Sequence, residues 1–518
     1  MRSILCFLLL TAFSHARQPN ILIAISDDQS YPHCSAYGSK MVSTPGFDRI
    51  AKEGALFHNA FCASPGCSPS RAAFLTGMNT WQIEHAGTHA SSFSSELKVF
   101  PDLLEEAGYF VGYTGKGWAP GNFKAGGRTT NPAGKSYGGK GGYAAAFEKF
   151  LEERPDDKPF CFWFGSSDPH RAYAKGSGLK KGKTLEQAEV PGFLPDTPEI
   201  RSDLLDYAFE VERFDDDVSK FLTLLEKSGE YDNTFIVVTS DNGMPFPRAK
   251  ANCYEYGIHM PLAVSWKAQI PGEQSVDTLV SHLDLTASIY ESSGVTPPEG
   301  LEGISILPLL RGEPVKEARF AIMSARERHS SSRFNTLSYP QRCIRTKEHL
   351  YIRNFKPERW PAGPAQKFSV ATYDSRDGTL LASRLGPPFA GYHDIDACPT
   401  LTYMIENREK GDIQKFLDLS VARRPAVELF NVKNDPDCLQ NLAGIPEHAD
   451  LEKAMDRQLM DYLKLTKDPR VTGNGDIWET YPRYSPLRWF PKPDWAEKNP
   501  ESIPVTPWLD AKRPKAKR

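Results

Sequence analysis

Four short, largely apolar runs punctuate the first half of the chain, at residues 21–25, 110–114, 160–164 and 235–239. Continuous apolar runs of this length predict strands covered on both faces. Helical patterns lie between them. In the clearest, Leu204, Tyr207, Ala208, Val211, Phe214, Val218, Phe221, Leu222 and Leu225 follow i, i+3, i+4 spacing. Gly229 can stop that helix. Strands alternating with helices predict an α/β fold with a large, mostly parallel central sheet flanked by helices. In such sheets ligands bind beyond the carboxyl ends of the strands. Here those ends carry Asp27-Asp28, Lys116, His170 (in Asp168-Pro169-His170-Arg171) and Asp241-Asn242.

Beyond residue 312 the pattern changes. Residues 320–323, 341–346, 350–353 and 428–431 read as short strands, and residues 449–465 as a helix. We therefore expect a larger, chemistry-bearing domain over 17–312 and a smaller α+β domain over 313–518. The latter ends in an irregular stretch from Val471, rich in Pro, Trp and Tyr. At the start, Arg2, an apolar run over 4–13 and Ser14-His15-Ala16 describe a signal peptide of residues 1–16. That run is too short to span a bilayer. The expectation is a secreted or periplasmic protein, with no membrane insertion.

Charge narrows the choice of partner. Across 518 residues the formal net charge is −3, so no global basic field points to nucleic acid. The basic ending, Lys512 to Arg518, reads as a solvated tail. A glycine-rich loop over 119–145 carries Lys124, Arg128, Lys135 and Lys140. The nine cysteines show no zinc-ligand spacing, and export would permit disulfides whose pairing the sequence does not give.

The decisive stretch is Cys67-Ser68-Pro69-Ser70-Arg71. Pro69 suits the first position of a helix, whose N-terminus favours an anion, and Arg71 adds a planar cation. Asp27, Asp28, Asp241 and Asn242 are hard oxygen ligands suited to calcium, or less well to magnesium, rather than zinc or copper. A lone Asp-Asp is usually a turn; two such pairs, both after strands, suggest a metal site.

The motif resembles the sulfatase signature C-x-P-x-R, continued by Ala72-Ala73-Phe74-Leu75-Thr76-Gly77. The resemblance implies the alkaline-phosphatase-like fold and a formylglycine made from Cys67 by a formylglycine-generating enzyme. One hydroxyl of the hydrated aldehyde would attack sulfur and the other would expel sulfate. It also implies that Ca2+ sits on Asp27, Asp28, Asp241, Asn242 and the oxygen of residue 67. It assigns Lys116 to the sulfate or the nucleophile, Lys250 to the sulfate, and His170 to the leaving-group side.

Within the family the likeness is greatest to the N-sulfoglucosamine sulfohydrolases, the heparan N-sulfatases. It rests on Asn59-Ala60-Phe61, the Cys67 motif, Asp168-Pro169-His170-Arg171 and Ser240-Asp241-Asn242-Gly243-Met244-Pro245-Phe246-Pro247. Two departures stand out. Lys116-Gly117-Trp118 replaces the Lys-x-His of many sulfatases, and Lys250 stands where that branch has arginine. Trp118 could form a stacking wall for a sugar, and His85 or His89 could supply an imidazole. The expected substrate is a sulfated glycan fragment, N-sulfoglucosamine first. An O-sulfatase on other sugars or on aryl and alkyl sulfates is the alternative. A phosphoesterase or phosphonate hydrolase of the same superfold and a non-catalytic binding protein remain as rivals. Oligomeric state is not legible.

Overall fold

A computed structural model describes residues 18–138, 142–315, 319–373 and 380–498. The expected signal peptide, Lys140 and the basic ending lie outside the described residues.

The core is a nine-stranded sheet. Its strands are β1 (Asn20–Ser26), β2 (Ala55–Phe61), β3 (Phe110–Gly115), β4 (Lys135–Ser136), β5 (Phe160–Gly165), β6 (Thr234–Ser240), β7 (His259–Ser265), β8 (Gln274–Val276) and β9 (Val280–Ser281). They run in the order β4-β3-β5-β1-β6-β7-β2-β8, with β9 beside β2. All four strands expected from the apolar runs are present and mutually parallel as β3-β5-β1-β6. Only β7 runs against its neighbours.

Both faces of this sheet are covered, which is why the runs are continuous. Ile21, Ile23 and Ile25 of β1 face a cluster with Ala72, Phe74 and Leu75 of helix Cys67–Thr76 and Leu285 and Ile289 of helix His282–Ser293. Leu22 and Ala24 face the other way, toward Phe214, Val218 and Phe221 of helix Pro198–Lys227. Gly229 has φ +71° just beyond that 30-residue helix, in the left-handed region that favours glycine.

Register aligns the strand ends. Ser26 pairs with Ser240 and Ile25 with Gly165, while Gly115 pairs with Gly165. The residues that follow, Asp27, Asp241, Lys116 and Ser166, therefore emerge side by side.

A second, antiparallel sheet follows: β10 (Ile322–Arg326), β11 (Gln341–Arg345), β12 (His349–Asn354) and β15 (Val427–Asn431). Helix Ala449–Leu465 covers one face, through Met455, Leu459 and Leu463 against Ile344, Tyr351 and Leu429. The other face, with Cys343, Leu350, Ile352 and Phe430, packs on Phe61, Cys62, Ile258 and Met260 of the first sheet region. These elements match the expected ones within a few residues. The hairpin β13 (Phe368–Tyr373) and β14 (Leu380–Leu385) and helices Pro399–Glu406 and Ile413–Val421 have no counterpart in the sequence reading. All eight described cysteines are unpaired and buried. Among the described residues no helix is long and apolar enough to cross a membrane.

Candidate active site

The site lies at the carboxyl ends of β1, β3, β5 and β6. Cys67 opens helix Cys67–Thr76, with Gly66 as its N-cap. Pro69 stands two residues inside, not at the first position as expected. The first turn needs no intrahelical N–H donors, so proline is tolerated there. Cys67 is therefore at the helix's positive end, buried, with Sγ 3.8 Å from Asp28 Oδ1.

Ligand atoms of Asp27, Asp28, Cys67 and Asp241 all lie within 4.8 Å of one another. Asn242 donates from Nδ2 to Asp28 Oδ1 at 2.8 Å, while its buried Oδ1 has no partner. Three crowded carboxylates and an orphaned amide oxygen fit a hard divalent cation, which would satisfy the oxygen and offset the charge. The donor chemistry thus supports a metal site.

Cations enclose the carboxylates. Lys116 Nζ donates to both oxygens of Asp27, at 2.8 and 2.6 Å. Lys250 Nζ donates to Asp28 Oδ2 at 2.6 Å. Arg71 Nε donates to Asp241 Oδ2 at 2.7 Å, and its buried Nη2 has no hydrogen-bond partner. Burial opposes ionisation of Asp27, but Lys116, His170, Arg71 and Lys250 outweigh it and hold the carboxyl well below its usual range. Asp241 goes the other way. Burial, with help from Asp27 and Asp28, raises it to about 6 against the pull of Arg71 and Lys116. Burial also pushes the Cys67 thiol well up, although Lys116 and Lys250 oppose this. An unmodified thiol held protonated is a weak nucleophile.

His170 is the half-exposed member of the group, with Nε2 3.9 Å from Asp28 Oδ2. Its Nδ1 lies 2.5 Å from the Arg171 carbonyl. A carbonyl only accepts, so Nδ1 carries hydrogen and Nε2 is the nitrogen free to exchange a proton at the cleft. All nine residues singled out by sequence are thereby brought together.

One expectation fails. Trp118 is 1% exposed, lies edge-on to Phe93 and donates from Nε1 to the Ser68 carbonyl at 3.1 Å. It braces the helix that starts at Cys67 and cannot stack on a sugar. In the glycine-rich loop, Arg128 is engaged by Asp102 and Lys135 by Glu153. His85 stacks on Tyr481 and bonds Ser92, whereas His89 packs against His329. Of the two, only His89 feels the charges of Lys250 and Lys116.

Two residues were missed. Asp396 Oδ2 accepts from Lys250 Nζ at 3.0 Å and joins a second cluster with Asp28 and His170. It arrives because helix Pro399–Glu406 docks on helix Pro198–Lys227, where Thr400 Oγ1 donates to Asp203 at 2.6 Å. His329 approaches from the loop after β10, with Cδ2 3.3 Å from where a Cβ on Gly66 would stand. A lone acid and a lone imidazole in loops carry no spacing signal.

The mostly parallel sheet, with acidic and cationic strand ends around a helix N-terminus, has the alkaline-phosphatase-like α/β fold. Within that fold class the sulfatase family model matches residues 19–295, and the chain belongs to the sulfatase family. It is an enzyme that hydrolyses sulfate esters or sulfamates. A second model, for the C-terminal region of N-sulphoglucosamine sulphohydrolase, matches residues 249–360. The chain is 29% identical to human N-sulphoglucosamine sulphohydrolase over 519 residues, covering 91% of this chain and 95% of that protein. It is 25% identical to an ulvan-active sulfatase of Formosa agariphila, over 85% and 75% of the two chains. A solved sulfatase-fold structure, described as bound to its substrate D-glucosamine-2-N,6-O-disulfate, superposes with a TM-score of 0.61 at 19% identity, covering 88% of this chain and all of that one. That likeness supports the fold.

Proposed function

We propose that this sulfatase acts on sulfated glycan fragments, with N-sulfoglucosamine as first substrate, using a formylglycine made from Cys67 and a bound Ca2+. The observation that carries the reading is the meeting of Cys67, at a helix N-terminus, with Asp27, Asp28 and Asp241 within 4.8 Å. Asp27, Asp28, Asp241 and Asn242 would hold the cation, with the oxygen of matured residue 67 as a further ligand. The cation would supply Lewis-acid polarisation of the sulfuryl oxygens.

The chain's own groups do the rest. Lys116 and Lys250 neutralise the sulfate oxygens, and Arg71 fixes Asp241 beside the nucleophile. His170 gives its Nε2 proton to the departing amine or alcohol. The formylglycine hydrate would supply the hydroxyl that takes the sulfuryl group. Maturation requires a formylglycine-generating enzyme, and the expected signal peptide implies a secreted or periplasmic protein. We assign the catalytic domain to 17–312 and the α+β domain to 313–518. Asp396 and His329 then come to the cleft from the second.

The likeness over most of the chain to an N-sulphoglucosamine sulphohydrolase supports the sulfamate substrate. The likeness to ulvan-active sulfatases supports a different sulfated glycan, and with it the O-sulfatase alternative, less directly. Sulfate release from matched N-sulfated and O-sulfated mono- and disaccharides separates them. Faster release from N-sulfoglucosamine is expected; equal or faster release from the O-sulfates would overturn the assignment.

A further inference from the structure

Beside the cleft lies a group of buried cations with too few anions. The segment from the last residue of β10, Arg326, to Arg333 is buried throughout. Among the described residues, its acidic anchor from outside is Asp394. Arg326 and Arg333 donate to Asp394 Oδ2 at 2.7 and 2.5 Å, and Ser332 Oγ to Oδ1 at 2.8 Å. Asp394 is thus saturated.

Arg328, Arg483 and Arg488 make no ion pair with any described residue. Arg328 donates only to the carbonyls of Tyr481 and Pro482. Arg483 Nη1 reaches the His329 carbonyl at 3.1 Å and His89 Nδ1 at 3.5 Å, and its buried Nε has no partner. Burial, with repulsion from Arg328 and Arg488, brings Arg483 down to about 9. Burial lowers Arg488 too, against the nearby Asp394 and Asp396. Uncompensated buried charge is costly, and an arriving anion would relieve it.

The group is continuous with the catalytic cleft. His329 lies beside Gly66, its Cδ2 3.3 Å from where a Cβ on that residue would stand, meets His89 with tilted rings 4.7 Å apart between centroids, and feels Lys250 and Asp396. Arg488 joins the same buried segment through Ser331, whose Oγ accepts from the Arg488 N–H at 2.8 Å and donates to its carbonyl at 3.1 Å. Guanidinium groups suit planar carboxylates and sulfate oxygens through paired hydrogen bonds.

We propose that Arg483, beside His89 and His329, and the neighbouring Arg488 form a second anion subsite for a carboxylate or further sulfate on the substrate sugar. This rests on the glycan reading above. It predicts that a second anion near the N-sulfated sugar lowers KM relative to N-sulfoglucosamine itself, with specificity supplied from the C-terminal region.

The test uses full-length matured enzyme and the variants Arg488→Gln, Arg488→Lys and Arg483→Gln. Four substrates are compared: N-sulfoglucosamine, its 6-O-sulfated form, a uronate-containing N-sulfated disaccharide, and an aryl sulfate. Losing one charge-assisted contact should raise KM about tenfold for the substrates with a second anion. kcat should hold, and the aryl sulfate and N-sulfoglucosamine should change less than about twofold. Arg488→Lys should recover part of the loss. The 6-O-sulfated and uronate arms show which anion is read. Should Arg483→Gln unfold, Arg488→Gln decides, because that side chain is only half-buried. Binding of the disulfated sugar to Cys67→Ala, with and without Arg488→Gln, decides the point even if no sugar is turned over. Equal losses on all substrates, or unchanged binding and KM, would overturn the subsite. Turnover of aryl sulfate alone by the unsubstituted enzyme would instead overturn the glycan reading.

Discussion

Replacing Trp118 distinguishes a buried brace from a sugar-binding wall. The ring is 1% exposed, and its Nε1–H spans 3.1 Å to the carbonyl of Ser68, itself fully buried. Trp118→Phe removes that bond, worth about 1 kcal/mol net, and leaves a buried carbonyl short of a donor. The smaller ring also leaves a void, adding about 1–2 kcal/mol. The expected loss is about 2–3 kcal/mol, and Trp118→Ala should lose about 3–5 kcal/mol. Gly121→Ala attacks the same packing, since its Cβ would stand 2.3 Å from Trp118 Cη2. Urea unfolding followed by far-UV circular dichroism gives the stability change. Steady-state kinetics on a sugar sulfate and an aryl sulfate give the functional one. A brace predicts lower stability and similar factors on both substrates, because the helix starting at Cys67 is loosened for either. Unchanged stability with a KM increase confined to sugars would refute the reasoning.

Glu255 joins the two sheets, accepting from Arg345 at 2.6 Å with His259 Nδ1 3.3 Å away. Burial opposes its ionisation, but Arg345 and His259 prevail and lower it from 4.5 to about 2. A depressed carboxyl stabilises the fold fully above pH 4.5, and that part, about 3 kcal/mol, drains away as pH falls toward 2. Glu255→Gln should weaken the protein at neutral pH and flatten its acid limb; an unchanged pH–stability curve would count against this. Calcium at 100 times its Kd should stabilise the enzyme by about 2.7 kcal/mol. Asp241→Asn should lose most of that gain in thermal unfolding, and an undiminished gain would remove Asp241 from the metal site. Lys116→Ala should cut turnover of every sulfate by about 10²–10³-fold. Activity within tenfold of the parent would deny it a role at the sulfate.

The parallel half of the sheet was legible because helices cover both of its faces, so β1, β3, β5 and β6 read as apolar runs. β7 was not: Pro261 lies inside it and argues against a central strand. The metal-type cluster was legible because the register of β1 with β6 carries two sequence pairs, Asp27-Asp28 and Asp241-Asn242, to one point. Asp396 was not, because a docking contact between Asp203 and Thr400, nearly two hundred residues apart in sequence, brings it in. Trp118 was misread for a simple reason. An aromatic after a strand end can face solvent or core, and only the packing of Phe93 and Ser68 settles which.

The central claim is that residue 67 is converted before it acts. Mass spectrometry of the peptide containing Cys67, from active enzyme made alongside a formylglycine-generating enzyme, tests it directly. The account predicts that the thiol sulfur and two hydrogens are replaced by one aldehyde oxygen, in proportion to specific activity. An intact Cys67 thiol throughout a fully active preparation would contradict it.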